Sequence, residues 1–138
     1  MGEPLSAYDE LYAYTMGLPR PPFILQHVVD AHHAQGATSG ANSIGLVFSL
    51  AGLYLHVERG FDGLQVQRVH QLLGARKRVW PDIQIPSPRG DMTAVDVMKA
   101  SAGTARDAAI DAWCANVWAA FQSSRHVIIE LLRQSGIT

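Results

Sequence analysis

The sequence predicts an all-α fold: a bundle of five to six helices with a central antiparallel hairpin and a long C-terminal helix. Three observations carry this. Apolar residues recur at spacings of three and four in each major segment, and strict alternation is scarce. Glycine and proline punctuate those segments, at Gly17, Pro19–Pro22, Gly36 and Gly60. The most apolar stretch, Ile44–Val57, is too short to cross a bilayer and contains Ser49 and His56, so it reads as a buried helix. At 138 residues, the chain is expected to form a single helical domain over 1–138 with a core of its own.

The first helix is expected at about Ala7–Met16. Ser6 caps it, with Asp9 three residues on, and Tyr8, Leu11, Tyr12 and Thr15 share one face. Gly17 and the prolines that follow end it. The second helix starts near Pro22 and stops at Gly36. Its stripe is Phe23, Ile24, His27, Val28, Ala31 and Ala34, with His27 at the centre and Asp30 at the edge. His32 and His33 are expected to face solvent. A small polar turn, Thr38–Asn42, leads to a third helix at about Ser43–Arg59. This helix is apolar nearly all round, except for the row Gly45, Ser49, Gly52, His56, whose small members admit a close neighbour. Glu58 projects among Val47, Ala51, Tyr54 and Leu55, so it must find a partner or emerge at the helix end.

A fourth helix is expected at about Gly63–Lys77, turning Val66, Val69, Leu72 and Leu73 inward. The basic end Arg76–Arg78 complements its exposed carbonyls. Val79–Asp91 is an irregular, proline-interrupted connector that Trp80 and Ile83 pin to the core. It contains Arg89-Gly90-Asp91, a tripeptide too short to signal adhesion by itself. Thr93 and Asp96 cap a short helix through about Lys99. The last and longest helix, about Thr104–Gln134, carries Ile110, Trp113, Cys114, Val117, Trp118, Phe121, Ile128, Leu131 and Leu132 on its stripe. Ser123-Ser124 is a point where it can kink. Asp107 and Asp111 suit its N-terminal end.

The composition excludes several classes of function. Eleven basic residues against 12 acidic ones give nucleic acid or an acidic membrane no bulk attraction. One cysteine, Cys114, rules out an intrachain disulfide and a cysteine-rich zinc site, and it fits a reducing cytoplasm. An acidic, polar N-terminus is unlike a signal peptide. There is no nucleophile elbow, no P-loop, no Rossmann glycine pattern and no Glu-x-x-His pair of the di-iron bundles.

One polar site stands out. In an antiparallel hairpin, His27 comes roughly level with Gly52, and His56 lies about one turn away. His27, Asp30 and His56 can then converge. Two imidazoles and a carboxylate suit a divalent metal, Zn, Ni or Fe(II), and a metal-dependent enzyme would follow. The reading preferred on the residues is structural: His27 hydrogen-bonded in the core, Asp30 paired with Arg59, His56 half exposed. That leaves a non-catalytic binding or interaction module with a buried His/Asp cluster, its small-molecule ligand unspecified. The aromatic faces of the first and last helices suggest a homodimer. Glu58 and Arg59 are assigned structural polar roles, and Cys114, buried with no activating neighbour, is expected to be inert.

The segments VDAHHAQ (Val29–Gln35), LYLHVERG (Leu53–Gly60), TAVDV (Thr93–Val97) and AWCANVWAAF (Ala112–Phe121) occur in an order and spacing that resembles an uncharacterised bacterial family of small helical proteins, a domain of unknown function. The resemblance covers most of the chain after Phe23. It implies a helical fold and supplies no reaction. Many members carry a cysteine-rich N-terminal lead, and a histidine directly after the VDA…Q segment. Here the lead is absent and Gly36 stands in the histidine position. Any metal role of that lead does not transfer.

Overall fold

The structure, a computed structural model, describes residues 6–20, 22–37 and 43–137. The expected turn at Thr38–Asn42 and the side chain of Phe23 lie outside the described residues. Among those described there are seven α-helices, one 3-10 turn and no strand. The helices are α1 (Ala7–Met16), α2 (Pro22–Gln35), α3 (Ser43–Arg59), α4 (Gly63–Gly74), α5 (Ala94–Lys99), α6 (Thr104–Ala120) and α7 (Arg125–Gln134). The all-α prediction holds, with one or two more helices than expected. No helix among the described residues is long and apolar enough to cross a membrane.

α2 is the hub, packed on α1, α3, α4 and α6. Its predicted stripe is the reason: His27, Val28, Ala31 and Ala34 are all buried. The small side chains Ala31 and Ala34 let neighbouring helices approach it closely. α3 is buried along nearly its whole length, from Leu46 to Leu55, as its all-round apolarity demands. The caps act as read from the sequence. Ser6 Oγ accepts from the Asp9 amide at 3.1 Å, and Thr93 forms a capping box with Asp96. Asp62 forms a second capping box with Gln65 at the start of α4.

The C-terminal segment differs from expectation. A single helix from Thr104 to Gln134 would run about 46 Å at 1.5 Å per residue, far past anything it could pack on. The chain instead leaves the helix at Phe121, passes through a 3-10 turn at Gln122–Ser124, and returns as α7 against α3. Phe121 and Ser124 are buried at this corner. Glu58 braces it from the end of α3. It accepts from Trp118 Nε1 at 2.7 Å and pairs with the Arg125 guanidinium at 2.6 Å. The partner of Glu58 is therefore Arg125, and Arg59 is exposed. Trp113, Trp118 and Phe121 are buried within the chain. Tyr12 and Met16 of α1 do remain exposed. Leu72, expected to point inward, is 54% exposed on the outer side of α4.

The connector between α4 and α5 is held by side-chain amides. Gln35 Nε2 donates to the carbonyls of Arg89 and Met92, and Gln35 Oε1 accepts from Trp113 Nε1 at 3.0 Å. Asn116 Oδ1 accepts from the amides of Asp91 and Met92. Arg89 donates to the Gln35 carbonyl and Asp91 accepts from Asn116, so both charged members of Arg-Gly-Asp are committed to the fold.

Candidate functional site at the open end of the central hairpin

The small row of α3 meets polar residues of α2 in antiparallel order. His33 Nδ1 lies 2.8 Å from Ser49 Oγ, and its ring occupies the space beside Gly45. Asp30 sits against Gly52, where an added Cβ would come within 1.9 Å of Oδ2. His27 stacks on His56 with ring centroids 3.5 Å apart. The register is one turn removed from the one expected: Asp30, not His27, takes the place opposite Gly52. His32 and His33 are exposed as expected, yet each also makes a contact: His33 with Ser49, and His32 stacked on Tyr8 at 3.6 Å.

Asp30 is sealed in. It is 2% exposed; Oδ1 accepts from Gln26 Nε2 at 2.9 Å, while Oδ2 has no hydrogen-bond partner. Burial raises its pKa well above the ordinary carboxylate range, against the smaller opposing effect of Gln26. The side chain is accordingly held as the neutral acid. The expected pairing with Arg59 is not made.

The contacts of His56 favour its protonated form. Its Nδ1 lies 3.0 Å from the Phe61 carbonyl and its Nε2 lies 2.8 Å from Asp111 Oδ1. Both partners only accept, so both contacts are hydrogen bonds only when both ring nitrogens carry hydrogen. Burial by itself would lower the His56 pKa. The Asp111 hydrogen bond, the Phe61 carbonyl and the Asp111 charge outweigh it and raise the pKa. Asp111 is correspondingly lowered, mainly by the His56 hydrogen bond. His27 is the reverse case. It is 3% exposed, and burial together with the neighbouring His56 charge pushes its pKa down to about 3. Its ring lies flat on that of His56, and its buried Nδ1 has no hydrogen-bond partner.

This pair opens on a cavity of about 250 Å³, lined by Ile24, His27, His56, Gly60, Phe61, Asp62, Asp107 and Asp111. The turn after α3 creates it. Gly60 takes φ +72°, a left-handed conformation natural to glycine, and swings Phe61 and Asp62 across the mouth. Tyr14 sets one wall by donating to Asp107 Oδ1 at 2.9 Å. Asp30 does not line the cavity. His27, Asp30 and His56 are neighbours along one interface, but they do not meet at a point. Among the described residues no group of three or more His, Cys, Asp or Glu is placed to hold a metal. Cys114 is buried behind His27, donating to its carbonyl at 3.6 Å, and burial raises its pKa well above the usual thiol value.

Sequence reasoning found His27 and His56 but missed Asp62 and the cavity role of Asp107 and Asp111. Asp107 and Asp111 lie four apart on one face of α6, beside the apolar stripe, and that spacing was the available signal. Asp62 is disguised as a helix cap.

Fold and site together define an all-α domain with an acidic, histidine-lined cavity between α2, α3 and α6. The chain belongs to the family described as "Family of unknown function (DUF5946)", which matches residues 5–122. No curated protein and no solved structure matches it.

Proposed function

We propose that this domain is a non-catalytic binding module that takes a small molecule in the cavity over His27 and His56. One observation carries the reading: the stacked rings of His27 and His56 line an open cavity of about 250 Å³ together with Ile24, Phe61 and three aspartates. A concave pocket with apolar walls and a few convergent polar groups is the usual place for a small ligand. Catalysis has weaker support. His56 has no lone pair to offer while it donates to both Phe61 and Asp111, so it is not placed to act as a base. The test is a fragment screen by thermal shift and ligand-observed NMR, on wild type and His27→Phe. Binding present in wild type and lost in the variant is the expected result. A screen without binders, or with binders indifferent to His27→Phe, would overturn the reading.

A metal-dependent enzyme built on His27, Asp30 and His56 is the competing proposal. It requires His56 to give up one of its two hydrogen bonds and Asp30 to leave its seat on Gly52. Elemental analysis of protein purified without a histidine tag, followed by thermal shift with Zn, Ni, Mn and Fe(II), separates the two.

A further inference from the structure

One stretch of the chain runs extended with no strand beside it. From Lys77 to Pro86 the backbone makes neither a turn nor a bend. Lys77 and Val79 are exposed, while Arg78 and Trp80 are half-buried. The alternation slips by one residue at Pro81, after which Asp82 and Gln84 are exposed and Ile83 and Ile85 pack on the core. A period of two is the pattern of extended chain with one side on the protein. Yet among the described residues no backbone N–H or C=O from Val79 to Pro88 makes a hydrogen bond within the protein; the first bonded group after them is the Arg89 carbonyl. The segment is held through its side chains. Trp80 meets Phe48 edge-on at 5.3 Å, and Arg78 lies over Trp80 and bonds Ser135. An extended segment with an unpaired backbone is a template for a further strand.

Two features beside it say what kind of strand. A hollow of about 330 Å³ opens between the start of the segment and α7, and Val79, Trp80, Pro81, Val127 and Leu131 form its apolar lining. Val79 is 96% exposed, the most exposed large apolar side chain among the described residues. The polar members of the lining are His126, Gln134 and Glu130, the last held by Arg133 at 2.6 Å and by Gln134. Just upstream, Arg76 and Lys77 are exposed and, among the described residues, make no ion pair. Over Arg76–Ile85 three cations stand against Asp82, a net charge of +2. The order along the segment is two free cations, an apolar hollow, then free backbone.

We propose that this segment docks an extended peptide of a partner protein by strand addition. Paired antiparallel, the sense that is the more stable per residue, the peptide bonds to the backbone of Asp82–Ile85. It then places one large apolar side chain in the hollow over Trp80 and ends in carboxylates opposite Lys77 and Arg76. A second copy of the segment is a poor occupant, because it brings the same positive charge and two prolines, Pro81 and Pro86, that cannot donate to a ladder. The hollow shares no residue with the cavity over His27 and His56, so this surface stands apart from the binding site proposed above.

The experiment screens the full chain against a displayed library of short random peptides, then titrates the best synthetic peptide by NMR. Enriched peptides should carry a large apolar residue followed by Glu or Asp. Binding should slow hydrogen exchange at alternate amides only, either Asp82 and Gln84 or Ile83 and Ile85, because successive N–H groups of a strand point to opposite edges. Val79→Asp should weaken binding by about tenfold, and so should Arg76→Gln combined with Lys77→Gln. These three side chains make no hydrogen bond in the fold, so the variants should unfold at the wild-type urea midpoint. A library without enrichment, a basic or proline-rich consensus, protection confined to other elements, or affinity indifferent to the substitutions overturns the inference. So does a dimer by light scattering that shows the alternate protection without any peptide, which would give the segment to a second copy.

Discussion

The two ends of the α2–α3 interface are built from the same parts and do opposite things. At the inner end, Asp30 lies against Gly52 and the exposed ring of His33 lies over Ser49, so that Asp30 and Ser49 are shut in. At the outer end, one turn away, His27 and His56 stack in the same register but face a cavity. The helices do not change between the two. What changes is the chain beyond them. Val66 of α4 packs over Gly52, whereas past His56 the chain turns at Gly60 and leaves space. Protonation follows the same division. The sealed carboxyl is held neutral by burial, while at the open end Asp111, 66% exposed, can stay charged and hold His56 charged with it.

The largest expected effect tests the open end in acid. The His27 pKa is below its ordinary 6.5, so the native state refuses a proton that the unfolded chain accepts. Its contribution is present above pH 6.5 and is lost as pH falls toward about 3. Over that range wild type should lose on the order of 4 kcal/mol more than His27→Phe, which has no proton to refuse. Urea titrations of both proteins at pH 7 and pH 4 measure most of the difference; parallel losses would show that His27 is not kept neutral.

Gly52→Ala breaks the sealed end. The new methyl meets Asp30 Oδ2 at 1.9 Å and Val66 at 3.0 Å, and both neighbours are buried. A loss of about 2–3 kcal/mol is expected from overpacking. Gly60→Ala is the control at the open end, where nothing lies within 4 Å and only the positive φ is strained. Its cost should be about 1 kcal/mol. Equal midpoint shifts would contradict the contrast.

Asp30→Asn sharpens the comparison through its sign. The Asp30 pKa is raised above 3.8, so its contribution is complete below that pH and is lost as pH rises through the raised value. The Asn variant should therefore gain on wild type with increasing pH, by about 1–2 kcal/mol between pH 4 and pH 8. That slope is opposite to the one His27 produces. A gain independent of pH would mean that Asp30 ionises normally.

The smallest effect is Asp111→Asn. The pair is exposed on its carboxylate side, so stability should change by less than about 1 kcal/mol. The His56 titration, followed by NMR, should move downward, because the hydrogen bond and charge that raise it are weakened or lost. An unmoved His56 would place the source of its charge elsewhere.

Much of this was legible residue by residue. His27 stood at the centre of an apolar stripe and is buried. Glu58 stood among apolar residues and does find a partner at the helix end. The row Gly45, Ser49, Gly52, His56 was visible as a seam. The register across that seam was not, because it depends on the turn between the two helices and on the fit of Asp30 against Gly52, and local spacing reports neither. The break at Phe121 was hinted at by two serines, but its necessity comes from the length of the bundle. Arg125 and Asp111 lie 67 and 55 residues beyond Glu58 and His56.

The sequence by itself determined the helices, their buried faces and their caps, because these follow from neighbours within one or two turns. Tertiary structure alone decided which polar side chains are sealed and which face a cavity. A hydrogen bond or a charge acts through space on whatever the fold brings near. The cavity over His27 and His56 exists only because α2, α3, α6 and the turn after Gly60 bring Asp62, Asp107 and Asp111 to the walls of one hollow.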